Sequence, residues 1–162
     1  MSQGTRDAVL ASGGRPVPLG NFHLTLAFLG SVPQASIGAV QAVAHEVVRQ
    51  VPRAPVQITL DVIEYWRKPK VLCVTHRTQT IPDTAAVMLA GTLNARLVAV
   101  GFAPDLKPFR PHITLARKVP HPPGATAIEP VTWTFTDFVL VDSKTLPEGP
   151  VYTVLHRFSL GR

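Results

Sequence analysis

The pattern His-aliphatic-Thr-Leu occurs twice in this chain, both times in a segment whose polar and apolar residues alternate. The first copy begins at His23 in NFHLTLAFL, and the second begins at His112 in RPHITLARK. Alternation with a period of two is typical of a strand with one apolar face, which in the first copy would contain Leu24, Leu26 and Phe28. The sequence therefore predicts two similar strands in distant parts of one fold, an internal pseudo-repeat rather than a solenoid.

The hydrophobic spacing elsewhere predicts two helices and four further strands. The helices are QASIGAVQAVAHEVVRQV and PDTAAVMLAGTLNARLVAVGF, and the strands are PVQITLDVIEY, PKVLCVTHR, VTWTFTDFVLVDS and PVYTVLHRFSL. The segment VPHPPGATAIEP is interpreted as a loop. Short connections favour antiparallel pairing. We expect a two-lobed α+β fold, with mostly antiparallel sheets flanked by helices around a central cleft.

Length and composition favour a single globular domain over residues 1–162. Hydrophobic residues make up 46% of the chain, and the mean hydropathy is +0.20. No apolar run approaches the roughly 20 residues that span a bilayer. The N-terminus lacks the design of a signal peptide. We therefore expect a cytoplasmic monomer without a membrane partner, in which the lone Cys73 is a buried, inert thiol.

The chain is basic, with a formal net charge of +6 and a pI of about 10.1. Such a surface suggests an anionic partner, such as nucleic acid or phosphate esters. The basic residues are scattered rather than gathered in one tract, so a solvated surface without such a partner is an equal alternative.

A histidine and a threonine two positions apart on a strand present an imidazole and a hydroxyl side by side. Two such pairs that face each other would supply a general base and a general acid on opposite sides of one phosphorus, while the hydroxyls hold the nonbridging oxygens. This chemistry needs no metal when the leaving oxygen is protonated on departure. A single histidine on a strand, in contrast, is more often a structural residue.

These features resemble the 2H phosphoesterase superfamily, whose signature is two His-x-Thr/Ser motifs on pseudo-symmetric strands. The segments NFHLTLAFLGSVP and FRPHITLAR are similar to those of the LigT-like RNA 2′,3′-cyclic phosphodiesterases, also called RNA 2′-5′ ligases. The resemblance extends from about residue 15 to the C-terminus. It departs from the family at the start, where the strand that usually precedes the first helix is absent and TRDAVLASGGRPVPLGN looks like the end of that helix.

The resemblance implies hydrolysis of RNA 2′,3′-cyclic phosphate ends to 2′-phosphomonoesters without a metal or another cofactor. It implies His23 and His112 as the catalytic pair, and Thr25 and Thr114 as phosphate-binding hydroxyls. We assign His23 as the acid and His112 as the base, although the chemistry would tolerate the reverse. The resemblance also implies that Arg117 contacts phosphate. Strict alternation puts Arg117 on the face opposite His112, so it can do so only if the strand twists or ends before it.

Three aromatic residues are candidates for stacking a nucleobase or lining the cleft: Phe22, Trp66 and Phe109. The alternative for Trp66 is packing over the edge of a lobe. Arg110, directly after Phe109, lies just before the second motif and would line the same cleft. His45-Glu46 is not a zinc motif, because Arg49 stands where the second histidine would be. No cluster of cysteines or carboxylates supports metal binding.

Three functions remain open from the sequence. The first is the phosphodiesterase acting on an RNA or oligonucleotide with a 2′,3′-cyclic phosphate end. The second is the same chemistry on a cyclic nucleotide or an ADP-ribose cyclic phosphate. The third is a non-catalytic module that binds RNA or nucleotides, which the intact His and Thr residues of both motifs disfavour.

Overall fold

A computed structural model describes residues 3–51, 54–77, 84–105, 107–147 and 149–160. The helices are α1 (Gln3–Ala11), α2 (Ile37–Gln50) and α3 (Thr84–Ala99), and short 3-10 turns cover Leu19–Asn21 and Gln34–Ser36. The strands are β1 (Arg15–Pro16), β2 (Val56–Trp66), β3 (Val71–Thr75), β4 (His112–Arg117), β5 (Thr126–Phe135), β6 (Asp137–Leu146) and β7 (Gly149–Ser159). The predicted α+β class and both predicted helices are confirmed. In the described part of the chain, no helix is long and apolar enough to cross a membrane.

Five strands form the larger sheet, in the order β1-β4-β3-β2-β5. Strand β4 runs antiparallel to β1 and to β3, and β3 runs antiparallel to β2. The central strand β3 is buried along its whole length, from Val71 to Thr75. Alternate residues of β2 are buried as its pattern predicts: Val56, Ile58, Leu60 and Val62. Burial of these aliphatic side chains stabilises the sheet by roughly 1.5–3 kcal/mol each.

The described chain divides into two compact units made of interleaved segments. Unit 1 contains Met1–Thr25, Ile58–Asp83 and Arg110–Trp133, and unit 2 contains Leu26–Gln57, Thr84–Phe109 and Thr134–Arg162. Unit 2 holds α2, α3 and the two-stranded sheet of β6 and β7. Helix α2 buries one stripe at helical spacing, made of Val40, Val43, Ala44 and Val47.

The first histidine motif is not a strand, contrary to the prediction from its alternation. A 3-10 turn at Leu19–Asn21 precedes it, and residues 22–25 have no ladder partner. Val17 N still donates to the Leu115 carbonyl oxygen at 2.8 Å, but the next residue, Pro18, lacks the N–H that could continue the pairing of β1 with β4. The segment bends at Leu26, and the Phe28 side chain is 63% exposed instead of lying on an apolar strand face.

The segment VTWTFTDFVLVDS is also not one strand. A bend at Thr136 separates β5, in the larger sheet, from β6, which pairs with β7. Strand β5 begins at Thr126, so the end of the segment interpreted as a loop is strand. Alternation cannot locate such a break, because the pattern continues across a residue at which the backbone leaves one sheet for another.

Candidate active site

The second motif lies on β4, in register with β3. His112 is opposite Thr75, and Thr114 is opposite Cys73. Residues directly opposite each other in an antiparallel pair share a face of the sheet. His112 and Thr114 therefore project together, as the sequence predicts, and we call this side of the larger sheet the site face.

A β-bulge brings Arg117 to the site face. Cys73 pairs with Thr114 while its neighbour Leu72 pairs with Ala116, so Leu115 is an extra residue in β4. The extra residue shifts the alternation by one, and Arg117 comes opposite Val71, on the same face as Thr114. The sequence argument allowed only a twist or an early strand end, since the alternation of residue types does not reveal a bulge.

The two motif histidines make the same hydrogen bond. His23 Nδ1 lies 2.7 Å from the carbonyl oxygen of Asn21, and His112 Nδ1 lies 2.8 Å from that of Arg110. A carbonyl oxygen only accepts, so Nδ1 carries the hydrogen in both rings. In the neutral ring, Nε2 is then the atom that can take up a proton.

The electrostatic surroundings of His112 favour its neutral form. Burial lowers the pKa of its imidazole, and the positive charges of His23, Arg110 and Arg117 lower it further, while the hydrogen bond to the Arg110 carbonyl acts in the opposite direction. Both motif histidines belong to unit 1. His23 and Thr25 are both exposed, whereas Leu24 between them is half-buried.

Trp66, Glu64 and Arg110 form a connected group beside His112. The Trp66 ring centroid lies 4.4 Å from that of His112, and the Arg110 guanidinium lies 5.1 Å from the Trp66 ring centroid. Glu64 Oε2 accepts hydrogen bonds from Trp66 Nε1 at 3.3 Å and from Arg110 Nη2 at 2.5 Å. Trp66 thus packs against a catalytic candidate, and its role in base stacking stays a prediction.

Sequence reasoning missed Glu64, although the sequence contains a signal for it. Residues 56, 58, 60 and 62 of β2 are aliphatic and buried, and Glu64 is the next position on the same face. A carboxylate that continues an apolar face usually has a partner, here Arg110, and such a position is a candidate for a site.

Cys73 and Arg117 complete the site face. Cys73 Sγ lies 3.8 Å from Thr114 Oγ1, and burial raises the pKa of the thiol to about 11. The predicted burial of Cys73 is confirmed. Arg117 Nε is buried and, among the described residues, lacks a hydrogen-bond partner. A buried guanidinium nitrogen in this state is a donor available to an anion.

The roles of the aromatic candidates Phe22 and Phe109 stay predictions. Phe22 is half-buried next to His23. Phe109 is half-buried and belongs to unit 2, so its place beside the catalytic residues stays a prediction. In the described ranges, no three His, Cys, Asp or Glu side chains lie together in a way that would hold a metal ion.

Comparison with known proteins connects this site to an enzyme family. The family model of the 2'-5' RNA ligase superfamily matches residues 6–145. The RNA 2',3'-cyclic phosphodiesterase of Thermus thermophilus is 36% identical over 156 residues, which cover 91% of this chain and 76% of that protein. The enzyme of the same name from Escherichia coli is 32% identical over 155 residues, which cover 91% of this chain and 80% of that protein.

A solved structure agrees with these sequence matches. The crystal structure of E. coli LigT complexed with 3'-AMP superposes with a TM-score of 0.75 at 26% identity, covering 100% of this chain and 94% of that one. The match of the family model over most of the sequence, the two relatives and the shared fold lead to one conclusion: this chain is a member of the 2'-5' RNA ligase superfamily.

Proposed function

We propose that this protein hydrolyses RNA 2′,3′-cyclic phosphate ends to 2′-phosphomonoesters, with His23 and His112 as its acid–base pair and without a metal. The observation that carries the proposal is the matched state of the two imidazoles in unit 1, each held at Nδ1 by a main-chain carbonyl. The relatives named as RNA 2',3'-cyclic phosphodiesterases support the substrate.

The reaction is an in-line displacement at phosphorus. His112 Nε2 accepts a proton from water as the water oxygen bonds to phosphorus. The bond from phosphorus to the 3′ oxygen breaks, and the departing oxygen takes a proton from His23 Nε2. The products are a 2′-phosphomonoester and a 3′ hydroxyl. The lowered pKa of His112 supports its assignment as the base, because a base must be neutral before it reacts.

Hydroxyl and guanidinium donors would hold the nonbridging phosphate oxygens. Thr25 and Thr114 stand two residues after their histidines and donate through Oγ1. Arg117 lies on the site face and donates through its buried Nε. Such donors stabilise the charge that develops on the oxygens in the transition state.

The second candidate is the same reaction on a small cyclic nucleotide. The complex of E. coli LigT with 3'-AMP favours it, because that relative accommodates a mononucleotide.

The proposal has three further parts. We propose that the protein is a monomer, that it is cytoplasmic, and that Phe22 or Phe109 packs against the nucleobase.

The test compares two substrates in the presence of EDTA. An oligonucleotide with a 2′,3′-cyclic phosphate end and 2′,3′-cyclic AMP are incubated with the protein, and ³¹P NMR distinguishes 2′- from 3′-phosphomonoester products. We expect turnover of the oligonucleotide, with the 2′ product only. Turnover of 2′,3′-cyclic AMP without turnover of the oligonucleotide would favour the second candidate. Loss of turnover on EDTA addition would contradict the metal-free reaction.

A further inference from the structure

A group of exposed basic residues lies at one end of the larger sheet. They are Arg15 on β1, Arg67, Lys68 and Lys70 in the turn between β2 and β3, and Lys118 directly after β4. We call these five residues the basic end. The register places them together, since Arg15 is opposite Arg117, and Arg117 is opposite Val71, the residue after Lys70.

The positive charge of the basic end is not neutralised by carboxylates. In the described part of the chain, none of the five side chains belongs to an ion pair. The nearby carboxylate of Glu64 is already bound to Arg110. Arg15 and Arg117 stand directly opposite each other, an arrangement of like charges that destabilises a sheet unless an anion lies between them.

The backbone of the basic end is also unusual. Lys70 has a φ of 63° and Lys118 a φ of 54°, and they are the non-glycine residues with positive φ that the described chain contains. Lysine adopts this left-handed region at a cost, and such residues concentrate at functional sites. Their turns are joined, because Val119 N donates to the Lys70 carbonyl oxygen at 3.1 Å.

One residue of the basic end, Arg15, lies on the site face beyond the histidines. Arg117 shares this face with His112 and Thr114, and Arg15 shares it with Arg117. The rise of β4 separates the Cα atoms of His112 and Arg117 by on the order of 15 Å. A cyclic phosphate bound at the histidines would therefore leave the rest of a nucleic acid strand within reach of these cations.

We infer that the basic end binds the phosphodiester backbone of single-stranded RNA whose cyclic phosphate occupies the histidine site. The inference rests on the proposed function for the position of the RNA end. The exposed lysines and arginines of the basic end suit a flexible, sequence-independent contact with the RNA phosphates.

The variant that tests this surface is the double substitution Lys70→Asn/Lys118→Asn. Asparagine removes each charge and tolerates the left-handed backbone, so the turns keep their shape. The matched control is Arg49→Gln/Lys144→Gln, which removes the same charge from two exposed residues of unit 2.

The first measurement is binding of a fluorescein-labelled oligoadenylate with a 2′-phosphomonoester end, followed by anisotropy at several KCl concentrations. Loss of two phosphate contacts should weaken binding about 10- to 30-fold near 0.1 M salt and reduce the slope of log Kd against log[KCl] by about 1.4. The control should bind like the unaltered protein. An unchanged slope, or an equal loss in the control, would overturn the inference.

The second measurement separates this inference from the proposed function. The ratio of kcat/KM for the cyclic-phosphate oligonucleotide to that for 2′,3′-cyclic AMP should fall about tenfold in the double variant. If the unaltered protein hydrolyses neither substrate but still binds the oligoadenylate with the full salt dependence, the proposed function is wrong and the inferred RNA-binding surface stands. Binding to phosphatidylserine vesicles, with no binding to oligoadenylate, would overturn the surface as an RNA site.

Discussion

At both motifs the carbonyl two residues before the histidine accepts the hydrogen of Nδ1. Asn21 and Arg110 occupy equivalent places, two residues ahead of the two histidines. The motif therefore specifies the imidazole tautomer in an irregular segment and in a strand alike. This explains why the residue pattern predicts the catalytic candidates even though the first predicted strand is not formed.

Alanine substitution of either histidine should lower kcat by roughly 10²–10⁴-fold, which is the usual contribution of general acid–base catalysis. His23→Ala and His112→Ala are measured on the cyclic-phosphate oligonucleotide under saturating substrate. The exposed His121 of unit 1 supplies the control, and His121→Ala should act like the unaltered protein. Near-normal rates in both motif variants would contradict the assignment.

The pH dependence of kcat/KM should be bell-shaped, with its acid limb below the ordinary histidine pKa of about 6.5. His112 must be neutral to act as a base, and its lowered pKa keeps it neutral down to lower pH. Arg117→Gln removes one of the positive charges that lower this pKa, so the acid limb should move to higher pH.

The measurement is the profile on 2′,3′-cyclic AMP between about pH 5 and 9, with Lys144→Gln as the control for loss of a positive charge in unit 2. A flat profile would contradict the histidine pair. An acid limb that stays in place or moves down in Arg117→Gln would contradict the electrostatic influence of the guanidinium.

Among the elements, the surroundings of β4 depend on contacts that the sequence pattern does not predict. The bulge at Leu115 turns Arg117 to the site face, and Glu64 on β2 holds Trp66 and Arg110 beside His112. Alternation predicts strands and their apolar faces from local spacing. It cannot predict a register shift or a cross-strand ion pair, since both depend on which strands become neighbours.

Thr75 on β3 should stabilise the turn that leads into β4. Its buried hydroxyl donates to the Pro111 carbonyl oxygen at 2.7 Å. Thr75→Val keeps the shape and leaves that buried carbonyl without its donor, so the free energy of unfolding should fall by about 1–3 kcal/mol. Urea unfolding measures the change, and Thr75→Ser, which keeps the hydroxyl, should lose less. Equal losses in both variants would assign the effect to packing instead.

On the scale of the whole molecule, the chain passes between the two units several times. Strands β2 and β5 both run across the division, with residues in each unit. The sequence predicts the number of helices and most strands, but it does not predict this interleaving. Each unit draws on three separate segments, whose association depends on long-range pairing rather than on local propensity.

This interleaving should make the two units unfold together. Both tryptophans, Trp66 and Trp133, lie in unit 1, whereas the long helices α2 and α3 lie in unit 2. Tryptophan fluorescence therefore follows unit 1, and far-UV circular dichroism is dominated by unit 2. We expect coincident urea transitions from the two signals. Transitions with separate midpoints would show that the units unfold independently.

The carbonyl partners of His23 and His112 are uncharged, unlike the carboxylate that holds the imidazole in a serine protease triad. Each catalytic cycle would transfer one proton into the base and remove one from the acid, so the pair would finish with its protonation reversed. An uncharged carbonyl at Nδ1 does not stabilise that reversed state as a carboxylate would. Proton exchange with the surrounding buffer would restore the starting state before the next substrate can react.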